Sequence, residues 1–141
     1  MSKKREFPKQ GEVFKIKINS FDRQGHVISG EHFCIVVSPN PLNKIVQTVM
    51  VVFVTSRERP GWSWRVPFKL SQGNPDIISY AVTEQVMTFD RKNLKKSYGF
   101  VRPPDIKQIL VNLNEMFQVA TVLDVNLFFQ VLKIHLLSFE T

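Results

Sequence analysis

The 141-residue chain has a single cysteine, no apolar amino-terminal segment, no uninterrupted membrane-length apolar run and no internal repeat. Because Cys34 has no cysteine to pair with, an internal disulfide is excluded, which favours a reducing compartment and a small buried side chain. Residues 2–10 are basic and polar, so we expect a flexible basic tail at residues 1–10 and no secretory signal. Residues 116–139 are apolar, but charged residues such as Asp124 and Lys133 interrupt them. The sequence therefore predicts a cytoplasmic protein without a membrane span.

Length and charge narrow the classes of function. A chain of 141 residues with 43% hydrophobic content can bury one core, so a single folded unit is expected. The formal net charge is +7. The positive electrostatic field of such a charge attracts polyanions, which favours RNA, DNA or an acidic protein as a partner over a neutral metabolite.

Most of the chain carries strand patterns. Phe14, Ile16 and Ile18 alternate with lysines, which predicts a half-buried strand. Residues 33–37 and 46–54 predict two central strands joined by a turn, residues 64–70 a fourth strand, and residues 79–89 a fifth and a sixth. Pro67 favours an edge position for the fourth strand. Residues 19–30 have no periodicity and predict a loop.

After Pro103 the apolar period changes to three and four residues. This pattern predicts a helix that Pro104 begins near its first turn, with one apolar stripe. The stripe continues roughly in register beyond residue 117, as a long or broken helix. The fold predicted from these patterns is α+β, a small antiparallel β-barrel followed by a helix.

The segment SRERPGWSWR combines arginines with two tryptophans. Arginine pairs with phosphate, and an indole ring offers a stacking surface to an unpaired base, so the segment suits single-stranded nucleic acid. We expect Trp64 to belong to the core and Trp62 to project.

Four segments in order resemble the MazF/PemK toxins: GEVFKIKI, SGEHFCIVVSPNPLN, VVFVTS and AVTEQVMTFDRKNL. The resemblance implies an SH3-like, CcdB/MazF-like barrel over residues 11–117, with residues 118–141 as a helical carboxy-terminal extension packed on the same domain. It further implies a homodimeric toxin of a type II toxin-antitoxin system. Such a toxin cleaves single-stranded mRNA at short specific sequences, with no metal or other cofactor, and is restrained by a cognate antitoxin.

RNA cleavage without a metal needs three chemical contributions. A base takes the proton of the ribose 2′-hydroxyl, an acid protonates the leaving 5′-oxygen, and a donor or cation stabilises the phosphorane. In the family an arginine beside the second strand and a hydroxyl at the end of the third are typical contributors. Thr55 matches that hydroxyl, and Ser56 follows it. The alternative is a strand-terminal threonine that only satisfies nearby backbone groups.

The sequence departs from the family at two arginines. The usual Arg-Pro pair is replaced by Phe33 and Cys34, preceded by Glu31 and His32. His32 can substitute as a general acid or base because imidazole titrates near neutral pH, and Glu31 can orient its ring or hold charge. The alternative is that both are exposed loop residues.

At the second departure, an arginine and an aspartate of some relatives are replaced by Val82 and Glu84. Glu84 is then a candidate base, while a loop arginine neutralises the phosphate. The predicted catalytic residues are Glu31, His32, Thr55 and Glu84, and the predicted RNA contacts are Arg23, His26, Ser56, Arg57, Arg59 and Trp62.

Two other functions stay open at this point. The loss of both family arginines favours a catalytically weak or silent relative that binds RNA or regulates its operon with a partner. A barrel of the same shape also occurs in CcdB-like toxins, which poison DNA gyrase through the carboxy-terminal helix.

Overall fold

A computed structural model of the chain describes residues 7–18 and 30–139, without the side chains of 118–129 and 135–139. The elements of this described part are β1 (Glu12–Ile18), β2 (Gly30–Val36), α1 (Asn40–Ile45), β3 (Thr48–Thr55), β4 (Arg65–Phe68), β5 (Ser79–Asp90), β6 (Ser97–Phe100) and α2 (Pro103–Phe139). The loop predicted at residues 19–30 lies outside this part, except for Gly30, which begins β2.

The strands form one antiparallel sheet in the order β4-β5-β3-β2-β1-β6. The residues that follow the two edge strands, β4 and β6, pair with each other and so close the sheet. Leu70 and Val101 form an isolated bridge, and the Ser71 amide donates to the Phe100 carbonyl at 2.8 Å. Closure of this kind leaves little free strand edge. The predicted α+β barrel followed by a helix is confirmed.

Strand alternation divides the buried side chains between two faces of the sheet. The helix face packs against α2 and contains Ile35, Val52, Ile109 and Leu113. The distal face points the other way. Its core consists of Phe14, Ile16, Cys34, Val36, Val49, Val51, Phe53 and Leu94. The alternation predicted for β1 is confirmed, because Phe14 and Ile16 are buried while Lys15 and Lys17 are exposed.

The strand predictions are confirmed in part. Pro67 lies in β4 at one edge of the sheet, as expected for a residue without an amide donor. The predicted fifth and sixth strands are one strand, β5. Val52 pairs with Val86 and the next residue, Phe53, pairs with Val82, so residues 83–85 form a bulge that interrupts the pattern. The sixth strand is the unpredicted β6, which is too short to show a period.

The turn predicted between the two central strands is wrong in detail, because it contains the helix α1. Pro41 lies in its first turn, where the missing amide costs no hydrogen bond. Asn43 is fully buried, donates to the Ser38 carbonyl at 2.8 Å and accepts from the Ser38 hydroxyl at 2.5 Å. This side-chain pair holds the short helix against the barrel.

The long helix α2 begins one residue earlier than predicted, at Pro103, and continues without a break to Phe139. Ile109 and Leu113 are buried in the helix face, whereas Phe117 is 59% exposed. Residues 130–134 are also exposed. No helix in the described part of the chain is both long and apolar enough to cross a membrane.

Candidate active site and nucleic-acid interface

The structure brings His32 and Thr55 to the same face of the barrel. The His32 ring lies edge-on to Phe53 on the distal face, with ring centroids 6.2 Å apart. Thr55 follows Phe53 by two residues, so strand alternation turns it to that face as well. The pairing of β2 with β3 extends to Cys34 and Phe53, and His32 and Thr55 lie two residues beyond that pair on their strands. An imidazole and a hydroxyl therefore lie on one face, at the rim of the distal core.

The Thr55 hydroxyl has one partner among the described residues. Its Oγ1 accepts a hydrogen bond from the backbone N–H of Arg57 at 3.2 Å. This is the backbone role that a strand-terminal threonine commonly has. Because a hydroxyl both donates and accepts, its proton is still available to a phosphoryl oxygen. The structural role and the chemical role are therefore compatible.

Glu31 is separated from this pair. It pairs with Lys17 on β1, and its carboxylate lies 3.5 Å from the Lys15 ammonium. Consecutive residues of a strand point to opposite faces, so Glu31 and His32 diverge. No described contact joins the Glu31 carboxylate to the His32 ring, so a role for Glu31 in orienting that ring stays a prediction. Phe33 likewise turns to the other face and packs against Tyr98, with ring centroids 5.0 Å apart.

Glu84 lies in the bulge of β5, beside the β3 segment that carries Phe53. Its Oε2 atom is buried and has no hydrogen-bond partner among the described residues. A buried carboxylate oxygen without a donor is costly to keep unpaired, so such groups are found where a ligand or a proton is handled. The described contacts do not join Glu84 to His32 or Thr55.

The segment between β3 and β4, residues 56–64, is called the basic loop here. Ser56, Arg57, Arg59 and Trp62 are all exposed in it. The Arg59 guanidinium lies 4.5 Å from the centre of the Trp62 ring, which is a cation–π arrangement. Trp64 is more buried than Trp62, as expected.

Two bonds hold the end of the basic loop in place. The Thr83 hydroxyl donates to the Trp64 carbonyl, and the Asn112 amide of α2 donates to the Ser63 carbonyl at 2.8 Å. The loop is thereby tied both to the β5 bulge and to the helix. A segment with fixed ends presents its exposed side chains in a defined position.

Two residues beside the basic loop were not among the predicted site residues. Cross-strand partners point to the same face of a sheet, and Tyr80 pairs with both Thr55 and Pro67, so Tyr80 lies on the distal face. Arg65 pairs with Val82, which in turn pairs with Phe53 of the distal core, so Arg65 lies on that face too. Because Phe53 precedes Thr55 by two residues on β3, Arg65 and Thr55 occupy neighbouring positions along the face. The alternation of β4, which turns Arg65 and Val66 to opposite faces, is the sequence signal that could have identified Arg65 as a site residue. No sequence pattern connects Tyr80 to Thr55.

Other candidates contribute little to this site. Burial raises the pKa of the Cys34 thiol to about 12, outweighing a backbone hydrogen bond from Phe14 that lowers it, so the thiol is not a nucleophile near neutral pH. Arg23 and His26 lie outside the described residues. Within residues 7–18 and 30–139, no group of three His, Cys, Asp or Glu side chains is positioned to hold a metal ion.

Solved structures with the same fold include two endoribonucleases and a MazF protein. An endoribonuclease in complex with its cognate antitoxin, from a mycobacterial species, is 22% identical over 75% of this chain and 90% of its own, with a TM-score of 0.59. A second mycobacterial endoribonuclease is 19% identical over 79% of this chain and 91% of its own, with a TM-score of 0.57. MazF from Deinococcus radiodurans is 18% identical over 81% of this chain and 99% of its own, with a TM-score of 0.64.

No curated protein sequence matches the chain significantly. Residues 9–117 match the family described as the PemK-like, MazF-like toxin of the type II toxin-antitoxin system. That segment contains the whole barrel and the first part of α2. With more than half of its length matched, the chain belongs to the PemK-like, MazF-like family of type II toxins.

Proposed function

We propose that this protein is an endoribonuclease toxin that cleaves single-stranded mRNA at short specific sequences without a metal ion. The observation that carries the proposal is the placement of His32 and Thr55 on one face of a PemK/MazF barrel. Two solved proteins with this fold are endoribonucleases, which supports the proposal. Because mRNA is the proposed substrate, the proposed place of action is the cytoplasm.

His32 takes the proton of the ribose 2′-hydroxyl or returns a proton to the leaving 5′-oxygen. Only one of these tasks falls to His32 at a time, since a single imidazole exchanges one proton in each step. The Thr55 hydroxyl donates to a non-bridging oxygen of the phosphorane. Glu84 is the second proton-handling candidate, because its buried Oε2 has no other described partner.

The basic loop is proposed to hold the RNA strand. Its exposed Ser56, Arg57 and Arg59 offer hydrogen bonds and charge to the phosphates, and Trp62 offers a ring to a base. A homodimer restrained by a cognate antitoxin completes the proposal. It is supported by the family and by solved structures in which a toxin of this fold is bound to an antitoxin.

The test uses purified protein and a long single-stranded RNA in the presence of a chelator. We expect cuts at a small set of sequences, and no cut where the ribose before the scissile phosphate is 2′-deoxy, because the attacking hydroxyl is then missing. His32→Ala, Thr55→Val and Glu84→Gln should each weaken cleavage. Thr48→Val, at the exposed opposite end of β3, is the matched control and should cut normally.

A second function is favoured by one specific observation. Phe33 and Val82, at the two positions where the resemblance implies arginines in other members, are both built into the fold, Phe33 against Tyr98 and Val82 in the sheet. A silent protein that binds RNA would retain the strand without cutting it. RNA retention without cuts in the same assay would favour this function over the nuclease.

A further inference from the structure

A cavity of about 340 Å³ opens beneath the basic loop. Its lining includes Arg59, Trp62, Arg65, Pro67 and Tyr80. This volume lies near the lower end of the range for small-ligand pockets, about 300 to 1,000 Å³, and suits one nucleotide unit rather than a large molecule. The cavity has two guanidinium groups and one carboxylate, that of Glu58, and is therefore net positive.

Arg65 is only weakly bonded in this cavity. Its Nη1 atom donates to the Arg57 carbonyl at 3.4 Å, a long and therefore weak contact. Its Nε atom is buried without a hydrogen bond to any described residue, and Arg65 takes part in no ion pair within the described part of the chain. A guanidinium has five donors, so its Nη atoms keep donors for an anion that enters the cavity.

The aromatic part of the cavity suits a flat, uncharged group. Trp62 is 38% exposed, and Arg59 lies over its ring at 4.5 Å. Stacking of a base on an indole does not depend on the identity of the base, and an arginine over the ring adds to it. A phosphate site and a stacking site within one small cavity match a single nucleotide.

The cavity is one strand away from the proposed active site. Tyr80 lines the cavity and pairs directly with Thr55 on the neighbouring strand. Neighbouring strands lie about 5 Å apart, so the cavity is about one nucleotide away from a phosphate held at Thr55. A strand of RNA that reaches Thr55 therefore has its next unit at the cavity.

We propose that this cavity is a subsite for the nucleotide next to the scissile phosphate, with Arg65 on its phosphate and Trp62 against its base. The proposal rests on the proposed function for the identity of the strand as RNA. Arg65 has a fixed place because it is on a strand, opposite Val82, rather than in the loop. It supplies a binding cation from β4 and contributes to substrate affinity.

The experiment measures binding of a labelled single-stranded RNA whose riboses carry 2′-fluoro groups, which remove the attacking hydroxyl. The RNA carries the mapped cleavage sequence, or a mixed sequence if the wild type cuts nothing. Arg65→Gln should weaken binding by about tenfold or more, as loss of a charge-assisted contact does. It should also lower the salt slope of the binding constant by about 0.7, the share of one phosphate on a single strand. In the cleavage assay KM should rise while kcat changes little.

Lys107→Gln is the matched control, because Lys107 is an exposed cation on α2 and its removal changes the net charge equally. Binding by this variant should stay within about twofold of the wild type, since distant exposed charges are largely screened. Trp62→Ala should weaken binding by about fivefold or more, the loss expected for one stacked base. Because Trp62 is at the surface, this second variant tests the subsite even if Arg65→Gln does not fold.

Each outcome decides at least one of the two proposals. Cleavage by the wild type together with unchanged binding and salt slope in Arg65→Gln would overturn the subsite and leave the nuclease intact. Binding that depends on Arg65 without any cleavage would retain the subsite and overturn the nuclease. A wild type that binds no RNA would overturn both. Equal binding of the same sequence as single-stranded DNA would overturn the assignment of RNA.

Discussion

The two faces of the barrel sheet use similar apolar residues for different purposes. On the helix face, Ile35 and Val52 meet Ile109 of α2, and the contact is apolar throughout. On the distal face, Phe14 and Phe53 form an equally buried core. The distal core, however, is bordered by polar and charged side chains. His32, Thr55, Tyr80 and Arg65 lie at its rim, on the same face of the sheet.

This difference shows how one sheet separates stability from chemistry. A covered face can be apolar to its edge because a helix removes it from water. The distal core is equally buried but ends in polar groups, and those groups are held by the rigid strands beneath them. Substitutions on the two faces should therefore change different measured quantities.

The largest effect is expected on the distal face. His32→Ala should lower the cleavage rate by about 10²- to 10⁴-fold, the contribution of a positioned general acid or base. The free energy of unfolding should change by about 1 kcal/mol or less, because His32 is only partly buried. Single-turnover cleavage and urea unfolding of the same preparation check both numbers. A large loss of stability would show that His32 belongs to the core.

A core substitution on the helix face should have the reverse result. Ile109 is fully buried between α2 and the sheet, so Ile109→Ala should lower the free energy of unfolding by about 2 to 5 kcal/mol. Cleavage per folded molecule should stay unchanged. The exposed Val111 on the same helix gives the control, since Val111→Ala should change stability by about 0.5 kcal/mol or less. Chemical unfolding and rates corrected for the folded fraction provide the comparison.

One contact links the faces, because Asn112 of α2 donates to the Ser63 carbonyl of the basic loop. Asn112→Ala should lower the free energy of unfolding by about 0.5 to 1.5 kcal/mol, the net contribution of a typical hydrogen bond. It should also weaken RNA binding, because the end of the loop is less well held. Asn114→Ala, at an exposed position two residues along, is the control. Unchanged RNA binding in Asn112→Ala would show that the loop keeps its position without the helix.

The smallest effect is expected at Glu31, whose carboxylate pairs with Lys15 on the surface, away from His32. Glu31→Gln should change the free energy of unfolding by about 0.5 kcal/mol or less, because exposed ion pairs contribute little. Cleavage and its dependence on pH should match the wild type. A shift of the pH profile would mean that the carboxylate acts on the His32 ring after all.

Several parts of the fold could be predicted because their signals are local. The alternation in β1 and the three-and-four spacing around Ile109 follow from where each side chain points along a strand or a helix. Pro67 at an edge strand follows from its missing amide. The helix α1 was missed because it depends on the buried bonds of Asn43 to Ser38, which form only once the barrel is closed.

The candidate site was predicted in part for the same reason. Thr55 and Trp62 carried their own signals, a hydroxyl at the end of a strand and an aromatic ring among arginines. Glu31 was proposed to act on His32 because the two are adjacent in sequence, but adjacent residues of a strand point to opposite faces, so that role stays a prediction. Arg65 was recognised only as one of the arginines of SRERPGWSWR, and Tyr80 was missed, because their relation to Thr55 is a pairing between strands separated along the chain.

By itself, the order of residues indicated a basic α+β barrel, because composition and periodicity are properties of neighbouring residues, and its short motifs carried the resemblance to PemK/MazF toxins. Only the tertiary structure decided which side chains share a surface. It put His32 and Thr55 on one face, set Glu31 beside Lys15 and brought Arg65 into the lining of a cavity. The reason is that strand register is set by packing of the whole sheet, and register determines which distant residues meet.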